Sequence, residues 1–107
     1  MTQEDNELLL KDLCVRLPYG VKTSNGHGIL KLSARTDVIY IVDNGHIPYL
    51  RPMSSMNEKE KDEYDRLVMC NASWVVDDWL NVRHFDYRGL IEKGLALEAP
   101  EGMYKNN

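Results

Sequence analysis

The chain predicts an α+β domain: a three- to four-stranded antiparallel meander with an N-terminal helix and C-terminal helices packed on one face. Three observations carry that expectation. A leucine stripe at helical spacing opens the sequence and stops at Pro18. Two Asn-Gly dipeptides then bracket residues that alternate in polarity or branch at Cβ. After residue 54 the helical spacing returns. A length of 107 residues fits one domain spanning 1–107, with 43% apolar and 28% charged residues as in an ordinary folded chain.

Residues 2–17 read as the first helix. Thr2 and Asp5 have capping-box spacing, and Glu4, Asp5 and Glu7 complement the positive end of the helix dipole. Leu9, Leu10, Leu13, Cys14 and Leu17 form one apolar stripe, and Gly20 turns the chain after Pro18. Asn25-Gly26 and Asn44-Gly45 are hairpin signals, because a type I′ turn needs positive φ at both central positions. Leu30, Leu32 and Ala34 alternate with Lys31, Ser33 and Arg35, as in a half-buried strand. The run Val38–Val42 reads as a central strand on β-propensity, and Pro48 confines the strand around Ile47, Tyr49 and Arg51 to a sheet edge.

The second half reads as helix. Ser55 and Glu58 have capping spacing, Tyr64, Leu67 and Val68 give a narrow apolar face, and Val75, Val76, Trp79 and Leu80 a wider one. Asn71 and Ser73 favour two helices with a break between them over a single helix spanning 56–84. Asp86 caps a short helix through Lys93, its carboxylate facing the amides of Arg88 and Gly89, with Gly94 at C′. Leu90, Ile91, Leu95 and Leu97 close the core around Trp74, Trp79 and Phe85, and the last three residues fray.

Charge and motif content exclude more than they assign. A net charge of -4 disfavours general nucleic-acid or anionic-membrane binding. Residues 1–53 balance six bases against six acids, whereas 54–107 hold seven against eleven. The N-terminal apolar run Leu8–Leu10 follows acids rather than bases, unlike a signal peptide, so the expected setting is cytoplasmic and without a membrane span. Cys14 and Cys70 form no CxxC pair and read as reduced, buried thiols. His27 and His46 adjoin turn glycines without metal-ligand spacing, so no metal and no cofactor is expected. Asn25-Gly26-His27-Gly28 precedes a strand rather than the helix that a phosphate loop requires.

No catalytic residue is assigned, and the chain reads as a non-enzymatic interaction or regulatory module. Tyr49, Arg51, Tyr87 and Arg88 mix aromatic and guanidinium groups and form the candidate binding surface, for a protein partner or a second copy. A nucleic-acid-associated accessory protein of a mobile element is the alternative, since these four residues together with Arg83 suit stacking and phosphate contact. A lower alternative is an enzyme using His84, which lies near Asp77, Asp78 and Asp86 in sequence.

Three blocks carry a resemblance. Leu9–Val21, Tyr49–Met56, and Asp78–Asn81 continuing through His84–Ala96 resemble a group of short uncharacterised proteins of gut Bacteroidetes and their mobile or phage-like elements. The resemblance implies a bacterial, cytoplasmic setting and an accessory role in a mobile element. It supplies no catalytic or binding residue.

Overall fold

The computed structural model describes residues 2–33, 35–70 and 73–104. The fold is α+β with a four-stranded mixed sheet and four α-helices among these residues. Helix α1 (Gln3–Arg16) begins with the capping box expected of Thr2 and Asp5, each side chain accepting from the other's backbone N–H. Its inward face carries Leu9 and Leu13 but also Asp12 and Arg16, while Cys14 is exposed. Cys70 is exposed as well, so the expectation of two buried thiols fails at both positions.

Strand β1 (Lys22–Ser24) pairs antiparallel with β2 (Ile29–Lys31) through the loop Asn25-Gly26-His27-Gly28. That loop is a hairpin, as its first dipeptide predicts. It is four residues long and is held by Asn25 and Ser24 side chains accepting from His27 and Gly26 N–H. Leu32 is buried beyond the strand, whereas Ile29, Leu30 and Lys31 are all exposed. Ala34 lies outside the described residues.

The run Val38–Val42 is a helix rather than a strand. Asp37 caps α2 (Val38–Asp43) by accepting from Tyr40 N–H, and Val38, Ile41 and Val42 share its buried face at i, i+3 and i+4. Burial at helical spacing and a good cap outweigh the β-propensity of individual residues, a weak and context-dependent preference. Asn44-Gly45 accordingly closes this helix instead of turning a hairpin. Gly45 N–H donates to Val42 O and His46 N–H to Ile41 O, with Gly45 at φ 78°.

The third strand, β3 (Ile47–Leu50), pairs antiparallel with β1 and parallel with β4 (Leu97–Glu98), giving the order β2-β1-β3-β4. The antiparallel meander is therefore corrected to a mixed sheet, and β3 is interior rather than an edge. Pro48 is tolerated because it pairs with Thr23 on one side, while β4 begins opposite Tyr49, one residue later.

Helix α3 (Glu58–Met69) starts from a capping box of Asn57 and Glu60, two residues beyond the expected Ser55 and Glu58. Helix α4 (Ser73–Val82) follows, so the helical segment does divide, with Asn71 outside the described residues. The expected helix 86–93 is a series of turns. The Asp86 carboxylate accepts from Leu90 and Ile91 N–H, not from Arg88 and Gly89, and Gly94 ends the turns with φ 74°. The last three residues, expected to fray, lie outside the described residues.

Two apolar clusters result. One joins Leu9, Leu13, Val21, Leu32, Val38, Ile41, Val42, Leu50, Leu90, Leu95 and Ala96. The other joins Met56, Trp79, Leu80 and Phe85. Trp74, expected in the core, is 77% exposed, and Leu97 also lies at the surface. Replacing Asp37 by Ala is expected to lower stability by about 1 kcal/mol in urea denaturation, as loss of a helix cap does. A strand at Val38–Val42 would show no such penalty.

Candidate functional site

Of the four residues singled out in the sequence, Arg51, Tyr87 and Arg88 meet at the segment Phe85–Arg88 with their polar groups engaged inside the protein, while Tyr49 is half-buried on β3, opposite Leu97 of β4. Two ionic networks hold the first three. In the first, the Asp12 carboxylate receives Arg16 Nε at 2.9 Å and Arg88 Nη1 at 2.8 Å, with Asp12 and Arg16 fully buried. Arg16 Nη2 donates to Phe85 O at 2.6 Å. Arg88 also donates to the Tyr87 hydroxyl, which donates to Asn81 Oδ1, each at 2.8 Å. Both guanidiniums lie over the Tyr87 ring, Arg16 at 5.4 Å and Arg88 at 4.7 Å.

In the second network, Arg51 grips Glu60 with two hydrogen bonds of 2.9 and 2.8 Å and lies 4.2 Å over the Phe85 ring. Burial pushes the Glu60 carboxyl up, but the Arg51 and Asn57 hydrogen bonds and the Arg51 charge prevail and hold it below its ordinary value. Phe85 stacks on Trp79 at 5.8 Å, Arg83 covers Trp79 at 4.3 Å, and Trp79 Nε1 donates to Glu63. Trp79 is thus a packed core residue, as the sequence reading requires.

His84 sits between these networks for a backbone reason. Its N–H donates to Asn81 O while Phe85 N–H donates to Leu80 O, the pattern that closes a helix with a left-handed residue at C′. Here that residue is His84, at φ 59°, where glycine is usual. The turn drives Phe85 inward and buries the imidazole against the Tyr104 ring, 4.0 Å between centroids. Tyr104 in turn bridges two strands: its hydroxyl accepts from Lys22 N–H and donates to Tyr49 O, both at 2.8 Å.

This environment holds the imidazole neutral near pH 7. Burial first, then the Arg16 charge and the smaller Arg51 and Lys22 charges, lower the His84 pKa from 6.5 to about 4, opposed by its hydrogen bond to the Tyr19 backbone. Asp78, one of the sequence-adjacent acids, instead accepts from the Tyr19 hydroxyl at 2.7 Å. Asp86 is committed to Leu90 and Ile91 amides. An open cleft of about 630 Å³ runs beside Arg51, Ser55, Asn57, Glu60, Glu98 and Tyr104, and His84 does not line it. Among the described residues no group of three or more His, Cys, Asp or Glu side chains is placed to hold a metal ion. His27 is exposed at the hairpin loop, and His46 is buried with Nδ1 3.1 Å from Thr23 Oγ1.

A different region is left open. At the corner between α3 and α4, Met69 is 84% exposed, Trp74 77% and Val68 45%. Sequence reasoning placed Trp74 in the core because of its size. The overlooked signal is its helical face: Trp74 shares spacing with Asp77 and Asp78 at i+3 and i+4, whereas Val75, Val76, Trp79 and Leu80 form the inward stripe. Lesser apolar exposures occur at Ile39 and Tyr40 of α2 and at Ile29 and Leu30 of β2.

Comparison with known proteins identifies no relative: no family model, curated protein or solved structure matches the chain. Among the described residues no helix is long and apolar enough to cross a membrane.

The histidine geometry yields a pH prediction. A buried imidazole that stays neutral makes the unfolded state bind more protons as pH falls. Its contribution is complete above about pH 6.5, is lost between 6.5 and about 4, and is constant below. Asparagine tolerates the left-handed backbone but does not titrate. The stability advantage of the wild type over His84→Asn should therefore shrink by roughly 1.4 kcal/mol per pH unit across that window, on the order of 3 kcal/mol in total. A gap independent of pH would refute the assignment.

Proposed function

We propose that the protein is a small non-enzymatic interaction module that binds a protein partner through the α3–α4 corner. The observation that carries the reading is the joint exposure of Val68, Met69 and Trp74 on one corner. Exposed tryptophan, methionine and aliphatic side chains at adjoining helix ends have a desolvation gain available that binding realises, and tryptophan dominates the energetics of many interfaces. Arg51 and Arg88, by contrast, already direct their charge at Glu60 and Asp12. A partner drawing on them would first have to break those pairs.

Charge defines the chemistry of the partner. Residues 58–82 hold seven acids (Glu58, Glu60, Asp62, Glu63, Asp65, Asp77, Asp78) and three bases (Lys59, Lys61, Arg66), so 7 - 3 leaves a net of -4, equal to that of the whole chain. Glu60 and Glu63 are paired with Arg51 and Arg83 from outside the segment, and the five remaining acids are exposed. A protein segment with apolar anchors and a basic rim fits such a corner, and a nucleic-acid backbone is repelled by it.

A photo-crosslinking amino acid at Met69 tests the reading in the native cell. The expected product is a protein adduct, mapped to a basic, apolar segment and absent when the probe stands at the exposed Lys93. Adducts to nucleic acid, or no adduct above the Lys93 control, would overturn the proposal.

A further inference from the structure

We propose that the segment received by the α3–α4 corner is the β1–β2 hairpin of a second copy of this chain, in a head-to-tail contact. This inference rests on the corner being a binding surface and names its occupant.

The hairpin has the chemistry that the corner calls for. Residues 20–36 contain Lys22, Lys31 and Arg35 and no acid, giving a net charge of +3. Strand β2 is the outer strand of the sheet, and all three of its residues are exposed, Ile29 at 55% and Leu30 at 44%. Ile29 and Leu30, as successive strand residues, project to opposite faces of this bare edge, so each face offers one exposed aliphatic side chain, flanked by cations, to an aromatic and thioether surface flanked by Asp65, Asp77 and Asp78. Opposite charge sets the orientation and speeds encounter, and the apolar groups supply the area removed from water.

Within one copy the two surfaces belong to different parts of the fold. Strand β2 reaches the rest of the sheet through β1, whereas α4 packs against α3 and α1. The two surfaces are different patches, so their union is heterologous, and repetition produces chains or a ring rather than a two-fold dimer. Lys31 guards the β2 edge against simple strand-to-strand pairing, as edge lysines do.

Sedimentation analysis of the purified protein from micromolar to millimolar concentration decides the matter. The wild type should associate progressively at low ionic strength and lose the associated species in molar salt, because the charged rim is screened. Leu30→Glu removes the hairpin surface and Met69→Ser/Trp74→Ser removes the corner, and Ile29→Glu serves as a second edge variant if the first unfolds. Each variant alone should remain monomeric. An equimolar mixture of an edge variant with the corner variant should form a one-to-one heterodimer, since each retains the surface that the other lacks.

A wild type that stays monomeric at every concentration overturns the inference while leaving the crosslinking outcome free to support a foreign partner. So does a mixture that fails to pair. Association lost in the edge variants but kept in the corner variant also overturns it, in favour of β2 pairing with β2.

Discussion

The buried carboxylate of Asp12 is the contact on which the arrangement of the molecule depends. One carboxylate from the middle of α1 is held by Arg16, one helical turn away, and by Arg88, 76 residues further along the chain. A charge in such a place costs several kcal/mol in lost hydration, and only close, well-oriented countercharges offset it. The two guanidiniums supply them, and each also has work beyond Asp12. Arg16 reaches the Phe85 carbonyl, and Arg88 reaches the Tyr87 hydroxyl. Segment 85–88 is thereby fixed against α1, and everything built on that segment inherits its position.

What it positions is the second apolar cluster. Phe85 lies between the Arg51 guanidinium on one side and Trp79 on the other, so the Arg51–Glu60 pair connects β3 to the start of α3 across an aromatic ring. His84 makes the turn that allows this, in a left-handed conformation at the end of α4. Tyr104 then covers the imidazole and ties β1 to β3 through its hydroxyl, where the backbones of Lys22 and Tyr49 do not pair directly. The interior thus has three linked polar features embedded in apolar packing, and each depends on residues far apart in sequence.

Local signals in the sequence were legible where local physics decides. The capping box of Thr2, the first hairpin loop, the division of the second helical segment and the closing role of Gly94 all follow from side chain and backbone within a few residues. The reading failed where two local signals competed or where the partner is distant. Val38–Val42 has both strand propensity and helical burial spacing, and the Asp37 cap tips the balance. Trp74 has the size of a core residue but the helical face of Asp77 and Asp78. Asp12 and Arg16 look like any exposed i, i+4 pair, because nothing within α1 announces Arg88 or the Phe85 carbonyl. For the same reason Arg51 and Arg88 looked like an open surface: their partners, Glu60 and Asp12, lie elsewhere in the chain.

The central claim is that the Asp12 carboxylate organises the fold through its two arginines, and denaturant unfolding of three variants tests it most directly. Asp12→Ala strands two cations, one of them fully buried, and should lose about 3–5 kcal/mol, the penalty of breaking a buried pair by removing one partner. Arg16→Met/Arg88→Met strands the carboxylate and should lose a similar amount. The triple variant Asp12→Leu/Arg16→Met/Arg88→Met removes all three charges and should recover most of the stability. Losses below about 1 kcal/mol in the first two variants, the range of an exposed ion pair, would contradict the account.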